Sequence, residues 1–141
     1  MSTHATVEIW ENAAAPKSEE RPVVLFKYND GDYLINDVIE AMKRGIRWGD
    51  PAYLSRIIFC QMLSGEKNPL NESTGYGILT DNIGDAKVEI VIDCNRQEVI
   101  VKEINRDNER YTFKEFSKLA TSDTIDNRMG DRRKDNDRRN S

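Results

Sequence analysis

Imidazole chemistry in this chain would rest on one residue. His4 is the sole histidine among 141 residues and sits in a terminal stretch expected to fray. A Ser-His-Asp or Cys-His arrangement, which needs an imidazole between the nucleophile and an orienting group, is therefore not expected. The two thiols, Cys60 and Cys94, lack the close spacing of a zinc site or a redox pair. They read as reduced cysteines of an intracellular protein, Cys60 buried on an apolar helix and Cys94 near the surface in a hairpin turn. No Gly-x-x-x-x-Gly-Lys-Ser/Thr segment occurs, and Gly75-Tyr76-Gly77 opens a strand rather than a helix. That leaves neither a P-loop nor a dinucleotide fingerprint, and no cofactor is expected.

Carboxylate, arginine and tyrosine chemistry remains. Asn29-Asp30-Gly31-Asp32 brings two carboxylates and an amide to a strand end, a donor set that suits magnesium or calcium. A calcium loop would need a glycine at its sixth position and an acid at its twelfth, and neither register supplies both. The plainer reading is that Asp30 and Gly31 make a turn while Asp32 caps the next helix, so no metal site is expected. Asp81 and Asp85 flank a glycine turn in the same manner. Arg47 and Trp48 place a guanidinium beside an indole, a pairing that holds anionic or planar partners. Tyr53 and Arg56 follow at a spacing that puts all four on one edge. The competing reading folds Trp48 over a helix junction as a core lid. Tyr76 lies between two glycines that either let a ligand approach the backbone or make room at a twisted sheet edge.

Charge is unevenly distributed. Formal net charge is −4 and mean hydropathy is −0.72, polar for a globular chain. Residues 121–141 hold six Lys/Arg and five Asp/Glu, which leaves a body of about −5. Their near cancellation, and the lack of aromatics to stack bases, disfavour nucleic-acid binding through that segment. It is expected to be disordered in isolation, because nothing in it repays the entropy of ordering. No apolar run approaches the roughly 20 residues that span a bilayer, and 1–20 lacks the order of a signal peptide. A cytoplasmic protein without membrane contact is the expectation.

These residues need elements to position them. Val7 and Ile9 alternate in a short strand over 5–10, followed by a loop around Pro16. Either side of that loop can begin the ordered domain, so 1–21 is assigned as a strand and linker and 22–120 as the domain. Val23–Phe26 is a strand. Leu34, Ile35, Val38, Ile39 and Met42 recur at helical spacing and stop at Gly45. Asp50-Pro51 opens a second helix, Asp50 as N-cap and Pro51 at the first position. Its apolar residues Tyr53, Leu54, Ile57, Ile58 and Met62 make a face wide enough for burial on more than one side. A long polar loop, 64–74, precedes a three-stranded antiparallel meander over 75–80, 88–92 and 99–101. The segment 105–110 reads as a polar turn. Thr112 and Glu115 have capping-box spacing ahead of Phe113, Phe116 and Leu119. The sum is an α+β fold, an antiparallel sheet of about four to five strands with two main helices and a short C-terminal helix.

The order Tyr28-Asn29-Asp30-Gly31-Asp32-Tyr33, Arg47, Asp50-Pro51-Ala52-Tyr53, Gly75-Tyr76-Gly77-Ile78 and Val91-Ile92-Asp93 resembles small uncharacterised bacterial and phage-type α+β domains. The likeness covers 22–102, and Asn29 stands where those domains often carry a histidine. It implies a fold and a bacterial or phage origin, and no activity. The leading expectation is thus a non-catalytic binding or regulatory protein that acts through a protein partner, using Arg47, Trp48, Tyr53, Arg56 and Tyr76, with homodimerisation compatible. The alternative is a small enzyme or phosphorylated-ligand binder in which Asp30, Asp32, Asp81 and Arg56 converge. Weak nucleic-acid binding through 121–141 stands third.

Overall fold

Alternation of apolar residues along three strands dictates the architecture of the computed structural model, which describes residues 4–28, 33–64, 68, 75–80 and 86–119. In chain order the elements are β1 (Ala5–Trp10), β2 (Val23–Lys27), α1 (Tyr33–Met42), α2 (Pro51–Leu63), β3 (Tyr76–Leu79), β4 (Val88–Asp93), β5 (Glu98–Glu103), β6 (Glu109–Thr112) and α3 (Phe113–Ser117). The strands form one sheet in the order β3-β2-β1-β4-β5-β6. Ala5, Val7 and Ile9 stand beside Val88, Ile90 and Ile92, and these in turn beside Val99 and Val101. Period-two alternation turns this whole set to one face, where it meets the helices.

The protein is α+β, but the sheet has six strands and is mixed. β1 runs parallel to β4, and the other four pairings are antiparallel. Two features account for the difference from four to five antiparallel strands. β1 occupies the centre of the sheet between β2 and β4, a placement that no local signal encodes. The sixth strand, β6, was read as part of a polar turn. As an edge strand it needs an apolar contribution from one face only, and Tyr111 opposite Val99 supplies it.

The helices follow the sequence pattern closely. α1 buries Leu34, Ile35, Val38, Ile39, Ala41 and Met42. Asp50 accepts a hydrogen bond from the Tyr53 backbone N–H at the start of α2, with Pro51 in the first turn. The capping box of α3 is complete: the Thr112 hydroxyl accepts from Glu115 N–H at 3.0 Å, and Glu115 accepts from Thr112 N–H at 2.8 Å. Hydrogen bonding from the Thr112 backbone and side chain holds the exposed Glu115 carboxyl below its ordinary range. Phe113 and Phe116 thereby enter the core.

The cysteines exchange places relative to expectation. Cys94 is buried and Cys60 is exposed. Cys94 continues the inward series of Val88, Ile90 and Ile92, and burial pushes its thiol up to about 12. Cys60 lies about 200° around the helix from the buried Ile58, on the opposite side of α2. At the sheet edge, Gly77 faces the Phe26 ring, which occupies the space a side chain would need. Close ring packing is thus the visible reason for this glycine.

Candidate binding cleft

The connection between α1 and α2 is built by two left-handed residues. Gly45 ends α1 at φ +64°, with its N–H donating to Met42 carbonyl oxygen at 3.0 Å. Arg47 adopts φ +62° two residues later, a conformation that costs a side-chain-bearing residue about 1–2 kcal/mol. The Arg47 carbonyl accepts from Asp50 N–H at 3.1 Å, which closes the turn into α2. This backbone sends consecutive side chains to opposite sides. Trp48 goes inward: its indole N–H donates to Met42 carbonyl oxygen at 3.3 Å and its ring stands edge-on to Phe113 at 5.7 Å. Arg47 goes outward, its guanidinium 4.5 Å from the centre of the Tyr53 ring.

α2 supplies the rest of this outer surface. Tyr53, Arg56, Ile57 and Cys60 recur at helical spacing on the side away from the buried Leu54, Ile58 and Met62. The wide apolar face read from sequence therefore divides, one part entering the core and one part lining a surface cleft. With Arg44 and Ile46 from the connection they enclose about 290 Å³. Tyr53 is 49% exposed and Ile46 56%. Arg44 donates to the Gln61 side-chain oxygen at 3.0 Å, which fixes its position at the rim. Three guanidiniums thus surround an apolar and aromatic floor, and no carboxylate lines the cleft among the described residues. Neither Arg47 nor Arg56 has an ion-pair partner among the described residues.

Two other hollows differ in kind. One, of about 410 Å³, lies on the β1–β2 connection and is lined by the polar residues Glu11, Lys17, Ser18, Glu19 and Glu20. The other, of about 360 Å³, crosses the helix-free sheet face and mixes both signs of charge, with Asp93 and Glu98 beside Arg96, Lys102 and Arg110. Arg110 pairs with Glu98 at 3.3 Å, and Asp93 accepts backbone N–H groups from Ala14, Asn95 and Arg96. The arginine cleft differs from both in having cations and no acidic residue among the described residues that line it.

A second cation–aromatic cluster lies where β2 meets α1. Lys27, 8% exposed, pairs with Asp37 at 3.3 Å. Its ammonium lies 5.1 Å from the Tyr76 ring centre and 5.5 Å from that of Tyr33. Burial raises the Asp37 carboxyl to about 6, and the Lys27 charge and hydrogen bond oppose that rise without cancelling it.

The five binding residues expected from sequence are thus distributed over three places. Arg47, Tyr53 and Arg56 meet at the cleft, Trp48 packs on the core side, and Tyr76 belongs to the Lys27 cluster. Asp30, Asp32 and Asp81 lie outside the described residues, as do most of loop 64–74 and all of 121–141. Arg44, Ile46 and Cys60 were not anticipated in the cleft, although the stripe 53, 56, 57, 60 was a readable signal for the last. Among the described residues, no group of three or more His, Cys, Asp or Glu side chains is arranged to hold a metal, and no helix is long and apolar enough to cross a membrane. No protein-family model matches the chain, and neither the curated proteins nor the solved structures contain a significant match. The likeness over 22–102 stays one of short motifs.

Proposed function

We propose that this protein is a non-catalytic binding protein that acts by contact with a partner protein, and that the cleft between the end of α1 and α2 is its contact surface. The observation that carries this reading is Arg47, held in a left-handed backbone with its guanidinium over an exposed tyrosine. Neither feature is what folding alone favours. Backbone strain at a residue whose side chain faces solvent points to use of that side chain. Arginine and tyrosine are also the residue types that dominate binding energy at protein contacts. We attach to this reading the cytoplasmic setting and the bacterial or phage origin expected from sequence.

The test is capture of partners from lysate by the immobilised full chain, compared with Arg47→Ala/Arg56→Ala. Both positions are exposed, so the variant should keep its fold and melting temperature. Proteins captured by the wild type and lost with the variant support the proposal. Identical capture by both removes this surface.

A further inference from the structure

We infer that the group this cleft takes from its partner is a phosphomonoester, carried on a phosphorylated side chain; the inference rests on the protein-contact reading above. Three guanidiniums border one small space with no carboxylate among its described lining residues, in a chain whose net charge is −4. The basic character is therefore local rather than general. A carboxylate brings one negative charge and two oxygens, which a single arginine fork can satisfy. A phosphomonoester brings about −1.5 to −2 charges at neutral pH and three terminal oxygens, the better match to three cations.

The remaining contacts fit the same ligand. The Arg47 guanidinium lies over the Tyr53 ring, and among the described residues no hydrogen bond takes up its N–H donors, which leaves them to form a fork. Ile46, Ile57 and the exposed Tyr53 ring offer apolar cover for the stem or ring bearing the phosphate. A volume of about 290 Å³ lies at the small end of ligand pockets, which run from roughly 300 to 1,000 Å³. That admits a phosphate with its stem and is small for a nucleotide. A membrane surface is disfavoured as the source of the phosphate. Polybasic lipid-binding patches use about 4–8 Lys/Arg, whereas this cleft has three on an acidic body.

The inference is tested by nuclear magnetic resonance on the ¹⁵N-labelled full chain, following the arginine side-chain Nε–H signals. Phenyl phosphate should shift Arg44, Arg47 and Arg56 saturably, at least tenfold more tightly than phenylacetate and more tightly than inorganic phosphate. Arg56→Ala and Arg47→Gly should each weaken it tenfold or more while the remaining spectrum is unchanged. Binding should also weaken below about pH 6, where the phosphate takes up its second proton. Phenylacetate binding as tightly as phenyl phosphate, or no saturable shift, overturns the inference. So does tighter binding to phosphatidic acid vesicles than to phenyl phosphate.

Phosphatase treatment of the lysate separates this inference from the reading it rests on. Loss of Arg47-dependent capture supports both. Capture that persists and still requires Arg47 keeps the protein contact and overturns the phosphate. Phenyl phosphate binding without any Arg47-dependent capture keeps the phosphate site and removes the protein contact.

Discussion

Lys27 and Arg47 are both cations laid against tyrosine rings, yet their surroundings differ in the one respect that matters for binding. Around Lys27 the rings of Tyr33 and Tyr76 are joined by the Asp37 carboxylate, and the ammonium is almost removed from solvent. Its charge is answered from within the fold. Arg47 has the ring of Tyr53 but no carboxylate among the described residues, and two further arginines stand nearby. The first cluster is a completed interaction and the second an incomplete one. On the binding reading proposed above, a cation–aromatic pair points to a contact surface when its counter-charge is not supplied by the fold.

The strongest way to break this contrast is to open the Lys27 cluster. Lys27→Ala leaves the Asp37 carboxyl buried without its partner and should cost about 3–5 kcal/mol in urea unfolding. Lys27→Met/Asp37→Leu, which removes both charges, should fall within about 1 kcal/mol of wild type or exceed it. A loss under about 1 kcal/mol for Lys27→Ala would show that the cluster is solvated rather than completed.

A smaller effect is expected at Trp48, which shares a backbone with the cleft but packs against Phe113. Trp48→Ala should cost about 2–3 kcal/mol, below the range for fully buried aromatics because this ring is half-buried. Arg56→Ala, on the cleft itself, should stay within about 0.5 kcal/mol. Comparable losses at the two positions would erase the distinction between the core side and the cleft side of this connection.

The mildest effect is on pH dependence. Because Asp37 is raised from 3.8 to about 6, the folded state holds more protons than the unfolded state between those values. Stability should therefore fall as pH rises through that window, by on the order of 2 kcal/mol from this group. Denaturation midpoints measured from pH 4 to 7 on wild type and Asp37→Asn would isolate it. A difference that does not change with pH would mean that Asp37 titrates as an exposed carboxyl.

How much of this could be read from sequence depends on whether the cause is local. The Asp50-Pro51 start, the Thr112–Glu115 capping box and the alternation of Val88, Ile90 and Ile92 are signals carried by neighbours in the chain, and the structure contains all three. Arg47, Tyr53 and Arg56 were legible as companions because a turn and one helix bring them together. The Lys27–Asp37 pair was not, since its partners belong to a strand and a helix whose packing the residues do not announce. Cys94 was misplaced for a related reason: the turn around it was visible, but the inward phase inherited from β4 was given less weight. Trp48 satisfied both of its readings on sequence, and only the backbone of Arg47 separates it from its neighbour.

The parallel pairing of β1 with β4 also sets a timetable. Ala5 leaves the ribosome long before its partner Val88, and until then β1 can pair with β2 alone. In that interval the future centre of the sheet is an edge, with the apolar Val7 and Ile9 on it and its backbone N–H and C=O groups open to any other strand. Closing a long loop before the central contacts form also slows folding. The nascent chain should thus depend most on protection from self-association during the synthesis of residues 28–87, and a pause placed there would be more damaging than one placed after β4 has emerged.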